Sequence, residues 1–210
     1  MSEISRRDML GMIGAAPLAA SLGLSPADVE RASRRAQEVK AARDAAPDQE
    51  PEPPAFFTPA EFRTVRVLAD LIIPKDARSG SASDAAVPEF IDFTVSDRPF
   101  MQIPVRGGLR WLDAESHDRH GAAFADLTEA QQEGILNDIA WPALASPEMG
   151  HGVAFFNRFR DLVASGFWSS KMGIEDLDYR GNLAVPAWNG CPPEALAKLG
   201  VSYDLMERRR

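Results

Sequence analysis

The sequence predicts an all-α protein: a single small helical domain with a long irregular C-terminal tail, preceded by a signal segment and a Pro-rich linker. Three observations carry that reading. Apolar residues recur at helical spacing in successive segments between Thr58 and Ser169. Those segments are bounded by N-capping residues and by helix-stopping Pro or Gly. No stretch shows the apolar and polar alternation of a half-buried strand, and no internal repeat is present. The chain has 210 residues, and the roughly 150 that follow the linker are enough for one compact core.

At the N-terminus, Ser5, Arg6, Arg7, Asp8, Met9 and Leu10 open an uncharged stretch that runs to Leu24. This looks like a twin-arginine export signal, carried by Ser5, Arg6, Arg7, Met9 and Leu10. Met9 stands where Phe is usual and Gly11 where Lys is common. The stretch is shorter than the roughly 20 apolar residues of a transmembrane helix, and Gly11, Gly14, Pro17 and Gly23 weaken it as a helix. Residues 1–27 are therefore assigned to the signal segment. Such a signal engages the twin-arginine translocase, which carries folded proteins, mainly cargo loaded with its cofactor beforehand, so the expected location is the periplasm.

Pro26 to Ala46 is rich in Ala, Arg, Glu and Lys without a long apolar face, and reads as an exposed helix or a mobile arm. Pro47, Pro51, Pro53 and Pro54, interleaved with Asp48, Glu50 and Glu52, form an extended acidic linker. Arm and linker occupy 28–54, and the helical domain 55–210. The domain opens with Thr58 as N-cap, Pro59 at the first helical position and Glu61 completing a capping box. Phe62, Val65, Leu68, Ala69 and Ile72 form its stripe, and Pro74 stops it. Lys75 to Ala86 is a loop, either functional or mobile. A short helix begins near Val87-Pro88-Glu89, the Pro99 to Pro104 segment breaks it, and another begins by Val105 and stops at Gly121. Thr128 restarts a helix with Ile135, Leu136 and Ile139, ended by Trp141-Pro142. The strongest stripe, Val153, Phe156, Phe159, Leu162, Val163 and Phe167, predicts a central helix from His151 to Ser169. Beyond Ser170 only Pro193 to Leu199, closed by Gly200, reads as helical.

Composition and motifs limit the chemistry. A net charge of -8 without a basic stripe inside the domain argues against nucleic acid. Cys191 is the single cysteine, which leaves no intrachain disulfide, no four-thiolate metal site and no C-x-x-C-H haem attachment. It is expected to be buried as a small apolar residue, with an intermolecular bridge as the alternative. Gly107-Gly108 and Gly150-His151-Gly152 do not fit the G-x-G-x-x-G spacing of a dinucleotide site. His117 and His120 could supply two ligands from one helix face, but they read more simply as a polar cluster before a helix-ending glycine. His151 reads as a capped or buried histidine rather than a catalytic base, and Glu175, Asp176 and Asp178 lack the calcium-loop pattern. No catalytic, cofactor-binding or metal-binding residue is assigned, and whether the chain is an enzyme stays open. Phe167, Trp168, Tyr179, Leu183, Trp188 and Cys191, gathered at the end of the main helix and along the tail, are the candidate partner interface, since aromatic residues on irregular segments are common interface anchors.

The run Gly173-Ile174-Glu175-Asp176-Leu177-Asp178-Tyr179-Arg180-Gly181-Asn182, followed by Trp188 and Gly190-Cys191-Pro192, resembles the C-terminal signature of the gluconate 2-dehydrogenase subunit 3 family. The resemblance extends to Phe57-Thr58-Pro59, Leu71-Ile72-Ile73-Pro74, Val87-Pro88-Glu89-Phe90-Ile91-Asp92, the Leu-Asp-Ala-Glu between Gly108 and Glu115, and Phe124-Ala125-Asp126-Leu127. It implies a noncatalytic small subunit of a flavin-dependent sugar or polyol dehydrogenase at the periplasmic face of the inner membrane. The implied partners are a large FAD-binding subunit and often a cytochrome c subunit carrying haem c, with no cofactor in this chain. It also implies that the small subunit supplies the export signal for its flavoprotein partner and assists its maturation. A dissociable export chaperone, or an independent periplasmic enzyme using His151 or His117, are the other readings.

Overall fold

The computed structural model describes residues 22–46, 48, 52–178 and 190–203. The chain divides into two compact units, one ending at Asp178 and one beginning at Tyr179. Among the described residues there are eight α-helices and no strand, so the protein is all-α, as the periodicity predicts.

The first unit holds α1 (Pro26–Ala45), α2 (Pro59–Ile72), α3 (Val87–Asp97), α4 (Pro99–His120), α5 (Glu129–Ala140), α6 (Gly150–Ser169) and α7 (Lys171–Asp176). Short 3₁₀ turns, Phe124–Asp126 and Pro147–Met149, lead into α5 and α6. The predicted central helix is α6, which packs against all six other helices of the unit. Phe159, Leu162, Val163 and Phe167 are fully buried along it. Helix α2 has the predicted capping box, with the Thr58 N–H donating to Glu61 and the Glu61 N–H donating back to Thr58 Oγ1. Helix α5 has the equivalent box between Thr128 and Gln131.

Three segments differ from the sequence reading. Pro26 to Ala46, expected as an exposed helix or a mobile arm, is a helix with one side packed. Ser25 and Asp28 cap α1, Ala32 and Ala36 are buried, and its main neighbour is α3. Gln37 Nε2 donates to the Ala85 carbonyl at 2.9 Å, and Arg43 pairs with the buried Glu89. Alanines fill a close contact without forming the bulky stripe that periodicity detects. Second, α3 ends at Asp97 just before Pro99, as expected, but Pro99 to Pro104 is itself helical: α4 starts at Pro99, not by Val105, and runs through Pro104. Pro99 occupies the first helical turn, where no N–H is needed. The backbone bond missing at Pro104 is offset by burying Met101, Val105, Leu109 and Leu112 on one face. Gln102 Nε2 meanwhile donates to the Val95 and Ser96 carbonyls, satisfying the end of α3. Third, Ser170 starts α7 where irregular chain was expected, its Oγ accepting from the Gly173 N–H at 3.1 Å.

The loop expected from Lys75 to Ala86 is partly buried and internally hydrogen-bonded. Ala82, Ala85 and Ala86 are buried, Asp76 Oδ1 accepts the Arg78 and Ser79 N–H groups, and Asp70 accepts that of Ser83. The second unit contains α8 (Pro193–Leu199), closed as predicted by Gly200 in the left-handed region.

Helices α4 and α6 interlock through glycines on both sides. Phe155 of α6 lies over Gly108, where an added Cβ would fall 1.9 Å from its ring; Trp111 of α4 lies over Gly152, where the corresponding gap is 2.2 Å. Gly107, next in sequence, faces open space. Gly108→Ala is therefore expected to lose about 1–3 kcal/mol through overpacking, whereas Gly107→Ala should be neutral or gain up to about 1 kcal/mol of helix propensity. Urea unfolding of the two variants checks this, and equal effects would rule out the interlock as the cause.

Candidate partner-binding surface

The surface is positioned by a buried carboxylate. Asp92, in the middle of α3 and 6% exposed, accepts three successive backbone N–H groups, from Ala55 at 2.6 Å, Phe56 at 3.0 Å and Phe57 at 3.1 Å. Arg106 of α4 closes the same junction. Its guanidinium lies 4.1 Å from the Phe56 ring centroid, Nη2 donates to the Phe56 carbonyl at 3.0 Å, and Nε donates to Glu61 Oε1 at 2.9 Å. One carboxylate and one guanidinium thus join the segment before α2 to the later helices α3 and α4. A second carboxylate repeats the device, as Asp113 Oδ1 accepts the Phe124 N–H at 3.0 Å and holds the turn before α5.

On the water side of α4, Phe100 is 63% and Ile103 is 84% exposed. They lie three residues apart and so share a helix face, which continues to the bare backbone at Gly107. Two large apolar side chains presented together beside a glycine form a small apolar patch of the type that meets a partner. The sequence reading missed it because it placed no helix there.

The predicted site residues fare differently. Phe167 is fully buried and stacks edge to face with Trp168 at 5.0 Å, so it is a core residue and Trp168, half-buried, is the exposed member of the pair. Tyr179, Leu183 and Trp188, and the signal residues Ser5, Arg6, Arg7, Met9 and Leu10, lie outside the described residues. Cys191 is exposed, not buried as expected, because the chain around it forms a turn held by its own N–H donating to Tyr203 Oη at 2.5 Å. His151 is also exposed, on the side of the first turn of α6 away from the buried Gly152, in place of the capped or buried setting expected. His117 and His120 are exposed in the last turn of α4, His120 facing Gln131 at 3.4 Å. Among the described residues, no three of His, Cys, Asp or Glu are grouped to hold a metal ion, and no helix is long and apolar enough to cross a membrane.

Fold and surface together define a small all-α protein whose buried charged side chains serve as caps and clamps between helices. Residues 59–186, more than half of the chain, match the family described as Gluconate 2-dehydrogenase subunit 3. The chain belongs to that family, whose description implies one subunit of a multi-subunit sugar dehydrogenase. Comparison with curated proteins and with solved structures finds no match.

Asp92→Asn is expected to cost about 1–3 kcal/mol, since a neutral amide accepts these N–H groups less well and turns a donor toward them; urea unfolding measures it, and a change below about 0.5 kcal/mol would remove the clamp from the account. Glu61 adds a pH dependence. Partial burial pushes its carboxyl up, but hydrogen bonds from the Thr58 N–H and the Arg106 guanidinium outweigh this and hold it below its ordinary range. Its stabilisation is then full above the unfolded value of about 4.3 and is lost as pH falls through the lower folded value. The stability gap between wild type and Glu61→Gln should narrow on going from about pH 6 to pH 3, and a constant gap would contradict it.

Proposed function

We propose that this chain is the noncatalytic small subunit of a periplasmic flavin-dependent sugar or polyol dehydrogenase. In this reading it carries the twin-arginine signal for a large FAD-binding subunit that folds and loads its flavin before export, and it stays bound at the inner-membrane face. A cytochrome c subunit with haem c completes the electron path. The observation that carries the reading is the family match over residues 59–186. The paired Arg6 and Arg7 support the export role. The Phe100 and Ile103 face supports docking, because an apolar face on a rigid helix gains stability when a partner covers it.

The test is co-expression with a large FAD-binding subunit of such a dehydrogenase that has no signal of its own, followed by fractionation and capture on a tagged small subunit. Wild type should bring the large subunit to the periplasm with one flavin per large subunit, and the small subunit purified alone should be colourless. Arg6 and Arg7 replaced together by Lys should leave both chains in the cytoplasm. Ile103→Asp should lower capture of the large subunit by about tenfold, the effect of losing roughly 1.4 kcal/mol at an interface, with little change in the melting temperature of the isolated chain. Active flavoprotein in the periplasm of the paired-Lys variant would defeat the co-export reading, and flavin on the isolated small subunit would defeat the subunit reading.

A further inference from the structure

The segment Leu22 to Ser25 includes the end of the signal's uncharged stretch, which runs to Leu24, yet it is built into the folded unit. Leu22 is 7% and Leu24 is 6% exposed, both within the apolar core. Between them Gly23 turns with φ of +67°, in the left-handed region that a side chain disfavours. Arg98, at the junction of α3 and α4, donates from Nη1 to the Gly23 carbonyl at 3.1 Å. The same guanidinium pairs with Asp28 in the first turn of α1. Asp28 in turn accepts from the Ser25 N–H at 3.0 Å and from Ser25 Oγ at 2.7 Å. Those Ser25 hydrogen bonds, and then Arg98, hold the Asp28 carboxyl far below its ordinary range. A Cβ added at Gly23 would meet the Phe100 ring at 3.9 Å.

We infer that Leu22–Ser25 is a folded stem that sets the limit of N-terminal processing: any cut that removes the signal falls before Leu22, and the stem remains in the mature protein. A processing peptidase needs several residues on either side of the scissile bond in extended form. Here the chain turns at the exposed Gly23, the Leu22 and Leu24 side chains on either side of it are buried in the core, and the Gly23 carbonyl is bonded to Arg98. The folded state must open locally before the stem can be cut. For a protein exported already folded, the stem is therefore protected at the moment processing occurs. The inference rests on the signal reading for its role in export, but the protection of the stem does not.

Two measurements keep these apart. The first is the intact mass of the full chain recovered from the periplasm of a bacterium with an active twin-arginine translocase. Its first residue should be Leu22 or an earlier one; a chain beginning at Gly23 or later overturns the inference, and a chain that is never exported defeats the signal reading alone. The second is limited digestion of the full-length chain with proteinase K, which needs no export. The limit fragment should begin at or before Leu22, and a wild-type fragment beginning at Gly23 or later overturns the inference. Arg98→Ala should speed cleavage within Leu22–Ser25 by about tenfold, the effect of losing a hydrogen bond to a charged group. An unchanged rate would overturn the assignment of the clamp to Arg98, and the melting temperature of the variant separates local release from general unfolding.

Discussion

The structure of the first unit depends on the Asp92 carboxylate. A charge nine-tenths out of water is tolerated only when its lone pairs are filled, and here three consecutive amides fill them. The consequence is geometric. Residues 55–57 have no helix of their own to satisfy their N–H groups, so the carboxylate on α3 fixes where the chain passes before Thr58 caps α2. Arg106 then binds the Phe56 carbonyl from the other side, which pins both polar groups of that peptide segment. Helix α2 cannot shift along α3 or α4 without exposing one of these groups to an apolar neighbour.

Within that frame the helices approach as closely as their small residues allow. Gly108 and Gly152 each lie under an aromatic ring of the facing helix, and Gly166 lies under Phe90. These contacts exchange side-chain volume between helices: a ring from one occupies the space that the other leaves empty. The result is dense packing of α4 and α3 on α6 without long apolar side chains at every turn. The same principle explains α1, whose Ala32 and Ala36 let it lie against α3 while Gln37 and Arg43 reach polar partners. The Arg43 and Glu89 pair fixes register more than it stabilises, because burying the Glu89 charge offsets much of the attraction to the half-buried Arg43 and Glu89 Oε2 has no hydrogen-bond partner.

How far the sequence was legible follows from these devices. Capping boxes at Thr58 and Thr128, the left-handed stops at Gly121 and Gly200, and the aromatic stripe of α6 are local signals, and each predicted element is present. What escaped is what only tertiary contact decides. Pro104 reads as a breaker because the cost of its missing N–H is local, while the burial that offsets it comes from residues across the core. Phe167 reads as an interface aromatic because it ends a helix, but α7 folds back over it, with Gly173 close to its carbonyl. Asp92 was quoted only as part of a family motif, since nothing in sequence shows a carboxylate waiting for the amides of residues 55–57. The Phe100 and Ile103 face was hidden by the same error that placed a break at Pro99 to Pro104.

The placement of α1 connects the two ends of the argument. It is the first described helix, yet its neighbours are α3 and α6, and Ser33 Oγ meets Ser169 Oγ at 2.9 Å across nearly the whole unit. An alanine face with polar contacts is too weak to hold such a helix in place before its neighbours exist. Helix α1 is held by α3 and α6, and the Gly23 carbonyl by Arg98 at the junction of α3 and α4. The stem at residues 22–25 is thus held by residues well beyond it in the chain. On the proposed function, a stem held in this way exists only on a folded chain, which suits a route that carries folded cargo.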